Sequence, residues 1–79
     1  MPATADEVRR IITTVFPGSN PEDVKDQNNR VVGTFLWDGF KGVSPRDRNQ
    51  LVTEKVRTEL GPRGLNVGYL IPLAPGDKL

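Results

Sequence analysis

One helix-forming segment lies between two strand-forming segments, and this order constrains the fold more than any other feature of the chain. Residues 30–37 are rich in β-branched and aromatic side chains, which favour strands. Residues 44–60 carry apolar side chains at helical spacing. Residues 65–73 alternate, which predicts one shared face for Leu65, Val67, Tyr69, Ile71 and Leu73. A strand–helix–strand connection is right-handed and makes its two strands parallel members of one sheet.

The N-terminal segment predicts a first helix. Residues 4–16 place apolar side chains at helical spacing, and Pro17-Gly18 ends the pattern. Thr4 and Glu7 have the spacing of a capping box, in which the hydroxyl accepts a backbone N–H and the carboxylate accepts the N–H of the cap residue. The helix therefore starts at a defined residue and buries one stripe, made of Val8, Ile11, Ile12, Val15 and Phe16.

A short hairpin is expected between the first helix and the second strand. Residues 22–26 form a weak strand candidate whose one apolar anchor is Val24. Asn28 and Asn29 follow, and asparagine tolerates the positive φ that tight turns need. Gly33, inside the next strand, marks a bulge or a close packing contact. The sequence therefore predicts an α+β fold, α-β-β-α-β, with a three-stranded mixed sheet and the helices packed on one face.

Length and composition limit the classes of function. The 79 residues suffice for a single small domain, 1–79, in which residues 74–79 are expected to be a tail. Cysteine and histidine are absent, and the lack of cysteine excludes disulfides, thiolate metal sites and thiol catalysis. A net charge of +1 gives no general attraction to nucleic acid or to a membrane surface. The polar N-terminus and the lack of a long apolar run predict a cytoplasmic protein that does not bind membranes.

The stretch 40–52, F-K-G-V-S-P-R-D-R-N-Q-L-V, carries the most specific motif. A glycine follows an aromatic residue by two positions, a Ser-Pro pair starts a helix, and an arginine precedes an apolar pair. This order resembles the BolA-like family, in which an F-x-G turn leads into a helix that carries R-H-R and an apolar pair. The residues in register are Phe40, Gly42, Arg48, Leu51 and Val52. In element order the resemblance extends from residue 6 to about residue 75.

The resemblance implies a fold related to the type II KH fold and a binding role beside a glutaredoxin-like protein. In that family the histidine of the helix motif and a second histidine on the last strand are associated with iron–sulfur binding. Asn49 stands at the first of these positions, and Asn66 or Gly68 at the second. Imidazole and thiolate are the usual ligands of soft metals, so we expect neither a metal site nor a cofactor in this chain.

A second interpretation comes from the G-x-x-G spacing of Gly39 and Gly42. In KH domains such a loop lets the backbone approach nucleic-acid phosphates, and neighbouring cations pair with the phosphates. The alternative is a tight turn that folds Phe40 back into the core, with a glycine in a backbone conformation that other residues resist. Both interpretations concern the same candidate partner-binding side chains: Lys41, Arg46, Arg48 and Asn49.

No set of residues has the pattern of a catalytic site. Glu22, Asp23 and Asp26 lie in a turn-flanked segment where solvation explains them. Trp37 and Phe35 are either core residues or aromatic contacts on the open face of the sheet. We therefore expect a small non-enzymatic binding or regulatory protein. A protein-interaction module is the first hypothesis, and a KH-like nucleic-acid-binding protein is the alternative.

Overall fold

The computed structural model describes residues 3–76 and confirms the α+β arrangement. Short 3₁₀ helices cover Asp38–Phe40 and Gly61–Asn66. The helices are α1, Ala5–Val15, and α2, Pro45–Leu60, and the strands are β1, Lys25–Gln27, β2, Arg30–Leu36, and β3, Val67–Leu73. In the sheet β2 lies in the centre, antiparallel to β1 and parallel to β3, as the connection rule predicts.

Helix α1 begins with the predicted capping box. Thr4 is the N-cap, and its hydroxyl accepts the backbone N–H of Glu7 at 3.2 Å. The Thr4 backbone in turn contributes to the lowered pKa of the Glu7 carboxylate, as the second half of a capping box does. At the other end the Phe16 N–H donates to the Ile12 carbonyl at 2.8 Å, and both side chains are buried. The helix therefore has the length that its sequence predicts.

The hairpin between β1 and β2 turns on two asparagines. Asn28 and Asn29 have φ values of 52° and 65°, the left-handed conformation expected of asparagine in a two-residue turn. Strand β1 starts at Lys25, later than predicted, because the Val24 N–H donates to the Pro21 carbonyl at 3.0 Å and closes a turn. The side chain of Val24 is fully buried, as its role of apolar anchor requires.

The core lies between the helices and one face of the sheet. Helix α2 contributes Val52, Val56 and Leu60, as its spacing predicts, and Leu51 packs half-buried beside them. Ala74, the first residue of the expected tail, is also buried in this core, whereas residues 77–79 lie outside the described part. Within residues 3–76 neither helix has the length and apolar character needed to cross a bilayer.

The prediction of one apolar face for residues 65–73 is wrong. Val67 and Leu70 pack against the core, whereas Tyr69 and Ile71 are 56% and 42% exposed. Leu65 precedes the strand, lies in the second 3₁₀ helix and is 91% exposed. The simple alternation of the sequence therefore fails between residues 67 and 70.

A shift in strand pairing explains this failure. Val31 of β2 pairs with Val67, but Gly33 pairs with Leu70, so β3 holds one extra residue in this interval. An extra residue exchanges the two faces of the strand beyond it. The close packing contact predicted at Gly33 is confirmed, because a Cβ atom there would lie 2.2 Å from the Asp23 carbonyl oxygen.

Candidate functional site

The turn after β2 is built on an aromatic cluster. Phe40 is fully buried, and its ring centroid lies 5.4 Å from that of Phe16 and 5.0 Å from that of Trp37. The indole N–H of Trp37 donates to the Pro17 carbonyl at 2.8 Å. Phe35 is buried in the same cluster. Of the two roles considered for Trp37 and Phe35, the structure shows core packing, and the turn folds Phe40 inward.

Two glycines shape this turn in different ways. Gly42 has a φ of 79°, which confirms the predicted left-handed conformation. At Gly39 a Cβ atom would lie 2.5 Å from the Trp37 ring, because the indole covers the backbone there. The sequence places the G-x-x-G spacing directly after a strand, whereas the structure inserts the 3₁₀ helix Asp38–Phe40 before the turn. Gly39 therefore lies within this 3₁₀ helix, and only Gly42 lies between it and α2.

Arg48, a candidate partner-binding residue, is only 8% exposed. Its Nε donates to the Val43 carbonyl at 2.8 Å, and its guanidinium carbon lies 5.9 Å from the centroid of the Phe40 ring. Arg48 therefore fastens the turn to α2. Arg48 is buried, whereas the other candidate side chains are exposed: Lys41, Arg46 and Asn49.

The exposed candidates on α2 continue into a line of polar residues along the helix. Arg46 and Asn49 are followed by Thr53 and Arg57, at successive intervals of three or four residues. Such spacing places side chains on one side of a helix. The acidic residues of this helix lie outside this line, at other positions around the helix axis: Asp47, Glu54 and Glu59. We call the line 46-49-53-57 the cationic side of α2. It is turned toward β3, because Thr53 and Arg57 border a groove between these elements.

This α2–β3 groove has a volume of about 180 Å³. Its aliphatic floor comes from Val52 and Val56 of the helix and from Val67 and Leu70 of the strand, and Arg57 stands on its rim. Pockets for drug-sized ligands are larger, about 300–1,000 Å³, so the groove suits one side chain of a partner better than a substrate. The sequence did not predict the groove, because no local signal shows the pairing shift that brings Leu70 to the same face as Val67.

The free edge of β3 borders the groove. Within residues 3–76 this strand pairs with β2 alone. The Trp37 N–H donates to the Leu73 carbonyl at 3.0 Å, so the backbone groups of Leu73 point toward β2. Backbone groups alternate along a strand, hence those of Leu70 and Pro72 point away from β2. Pro72 has no N–H, which weakens pairing with an added strand. The edge therefore favours insertion of a side chain over addition of a strand.

The positions where the resemblance places metal ligands do not fit an iron–sulfur cluster. Asn66 holds the backbone of Ala3: its Oδ1 accepts the N–H at 3.0 Å, and its Nδ2 donates to the carbonyl at 2.8 Å. At Gly68 a Cβ atom would lie 2.7 Å from Cγ1 of Val32. Asn49 is an exposed amide. None of the three supplies imidazole or thiolate, and no group of three carboxylates forms within the described residues.

One ion pair ties α1 to the segment that follows α2. The Arg63 guanidinium hydrogen-bonds both carboxylate oxygens of Glu7. This hydrogen bond is the main reason that the pKa of Glu7 lies below its ordinary value. The Ala3 N–H donates to the Arg63 carbonyl at 3.1 Å. The N-terminal segment therefore anchors the 3₁₀ helix that reaches the groove through Gly64.

No family model, curated protein or solved structure matches this chain. An assignment of function therefore rests on the geometry of the site and on the resemblance carried by residues 40–52. In that geometry the turn is a packed element, whereas the groove and the cationic side of α2 are accessible.

Proposed function

We propose that this chain is a non-enzymatic, regulatory protein-interaction module whose partner inserts an apolar side chain into the α2–β3 groove. One observation carries the proposal, namely a groove beside the sheet edge that has an aliphatic floor, polar walls and a cation, Arg57, on its rim. The guanidinium of Arg57 forms no hydrogen bond or ion pair with residues 3–76. Burial of an apolar side chain would supply about 25 cal/mol for each Å² removed from water.

The proposed partner carries an acidic residue next to the inserted side chain. A carboxylate placed near Arg57 adds specificity and a faster association more than it adds affinity. The resemblance of residues 40–52 to the BolA-like family makes a glutaredoxin-like protein the expected partner class. A cytoplasmic location, as the composition suggests, belongs to the same proposal.

Affinity capture with matched variants tests this function. The immobilised chain is exposed to a native lysate, with and without nuclease, beside its Thr53→Arg and Arg57→Glu variants. Both substitutions change the rim of the groove at accessible positions, since Thr53 and Arg57 are exposed. Lys55→Glu is the control, because Lys55 is exposed on the same helix but does not line the groove.

We expect nuclease-resistant protein capture by the parent and by Lys55→Glu, with loss of the captured protein in both groove variants. A glutaredoxin-like protein in the captured fraction would support the partner class. Capture that is equal for all four proteins would contradict docking in the groove.

Binding of single-stranded nucleic acid is the second candidate, and the cationic side of α2 favours it. Arg46 and Arg57 share this side with no acidic residue of the helix, and Lys41 lies in the turn just before it. Cations on one face are the footprint of nucleic-acid binding. In the same experiment this candidate predicts capture that nuclease removes. An oligonucleotide titration would then show an affinity that falls with salt and with loss of these cations.

A further inference from the structure

The face of the sheet that turns away from the helices carries exposed apolar side chains, and no element within residues 3–76 covers it. Side chains alternate along a strand, so the neighbours of core-facing Phe35 and Leu70 project from this face. Leu36, Tyr69 and Ile71 do so with exposures of 41%, 56% and 42%. We call this surface the open face. Contiguous exposed apolar side chains mark an interaction site, whereas single ones are ordinary.

Strand β1 and the turn before it add two opposite charges to the open face. Lys25 pairs with Val32 across the hairpin, and paired residues share a face. Asp23 lies two residues earlier, and its Oδ2 accepts the hydroxyl of Thr34 at 3.3 Å. Both charged side chains are exposed. The acid therefore stands level with Thr34, and the base stands level with Val32.

We infer that a second copy of this chain covers the open face, with the strands of the two sheets running antiparallel. The two-fold axis lies between the two sheets and runs perpendicular to the strands at the position of Gly33. It therefore places Val32 of one copy opposite Thr34 of the second copy. Lys25 of one copy then meets Asp23 of the second copy, and symmetry repeats this contact. When the strand direction is reversed, the Asp23 and Lys25 of one copy each face the opposite charge of the other copy, and this complementarity selects a second copy as the occupant.

The same symmetry operation brings apolar residues of β3 together. Ile71 pairs with Thr34, and Tyr69 borders a shallow hollow together with Val32. The two-fold axis therefore lays Tyr69 over Ile71 of the second copy. In an isologous interface every such contact occurs twice. A partner of unrelated sequence would have to match both the charge order and the apolar order, whereas a second copy matches both by symmetry.

The size of the open face sets the strength of this dimer. Three strands of up to seven residues span about 14 Å by 23 Å at ordinary strand spacing. Stable interfaces bury roughly 800 Å² of each partner, which is more surface than this face offers. The dimer is therefore weak, and its two sheets pack in aligned orientation.

Sedimentation equilibrium of the full chain, from low micromolar to millimolar concentration, tests this inference. The expected result is a mass that rises from 8.7 kDa toward twice that value. Ile71→Lys should weaken the dimer by more than about tenfold, because it buries an unpaired charge. Leu65→Lys is the control, because Leu65 is 91% exposed but lies outside the sheet. A monomeric parent at millimolar concentration, or equal loss in both variants, would overturn the inference.

A charge exchange at exposed positions keeps the test decisive even where Ile71→Lys fails to fold. Lys25→Asp should weaken the dimer at low salt, and the double variant with Asp23→Lys and Lys25→Asp should restore it. High salt should remove the difference between these two variants. A double variant no better than the single one would overturn the antiparallel arrangement. Arg57→Glu should leave the dimer unchanged, so failure of the groove proposal and failure of the dimer are distinguishable.

Discussion

Gly42 holds a left-handed backbone conformation with open space around it. Its φ is 79°, and a Cβ atom there would meet nothing within 4 Å. A substitution therefore adds backbone strain without a steric clash. We expect Gly42→Val to lower the free energy of unfolding by more than about 1 kcal/mol, the scale of substitutions that the backbone conformation disfavours. Denaturant melts of the variant and the parent measure this difference.

Two control variants separate backbone strain from other effects at this turn. Gly42→Asn should cost less than Gly42→Val, because asparagine visits the left-handed region more readily than branched residues do. Lys41→Ala should stay within about 0.5 kcal/mol of the parent, as surface substitutions usually do. A valine variant as stable as the parent would show that the turn carries no strain.

Single residues could be predicted where their role depends on near neighbours in the chain. Thr4 caps α1 and Asn28 turns the hairpin, because both functions involve backbone only a few residues away. Arg48 shows the limit of prediction from sequence neighbours. The sequence shows its place in the motif, but its burial depends on how Phe40 and Val43 fold back over the helix. Sequence spacing alone does not contain that information.

At the scale of elements, helices were more predictable than strands. Helix α2 starts after its Ser44 cap and ends at Leu60, before its C-cap Gly61, as local signals indicate. The faces of β3 were assigned wrongly, because they depend on pairing with β2 rather than on the strand itself. The extra residue between Val67 and Leu70 appears only when the two strands are aligned. The groove, which needs both residues turned inward, was missed for the same reason.

The ion pair between Glu7 and Arg63 joins two elements and gives stability a pH dependence. Because Arg63 lowers the pKa of Glu7 in the folded state, the folded protein binds this proton less readily than the unfolded chain. The stabilisation is complete above the unfolded pKa and is lost as the pH falls through the folded pKa. We expect Glu7→Gln to be less stable than the parent at neutral pH and to converge with it in acid.

Urea melts carried from neutral pH into the acid range measure this dependence. The effect should be small and should shrink with added salt, because the pair is accessible to solvent. Glu59→Gln is the matched control, since Glu59 is exposed and forms no ion pair with residues 3–76. A difference between Glu7→Gln and the parent that stays constant with pH would contradict the pairing.

The arrangement of the whole molecule followed from element order, because connection rules leave few topologies for a chain of this length. The parallel pairing of β2 with β3 needs no knowledge of side-chain contacts. The candidate site was predicted less well. Arg46 and Asn49 lie on the accessible cationic side of α2, whereas the groove beside them depends on how the helix and the strand are placed together.

Gly33, in the central strand, packs against the backbone of the turn before β1. A substitution there therefore tests how much this packing contributes to the stability of the whole domain. Its φ is 148°, and a Cβ atom would lie 2.2 Å from the Asp23 carbonyl oxygen and 2.7 Å from the Val24 Cα. Relief requires movement of backbone in the central strand. We expect Gly33→Ala to lower the free energy of unfolding by more than about 2 kcal/mol, through overpacking and backbone strain together.

A loss of this size is a large part of the stability of so small a domain, whose core supplies about 3–5 kcal/mol. Denaturant melts followed by far-UV circular dichroism and by Trp37 fluorescence should therefore shift together, as expected of one cooperative unit. Thr34→Ala is the control, because this substitution in the same strand removes a half-buried side chain and its 3.3 Å hydrogen bond to Asp23 without adding an atom to the backbone contact. If Gly33→Ala proved as stable as this control, the close approach of the two backbone segments would not organise the fold.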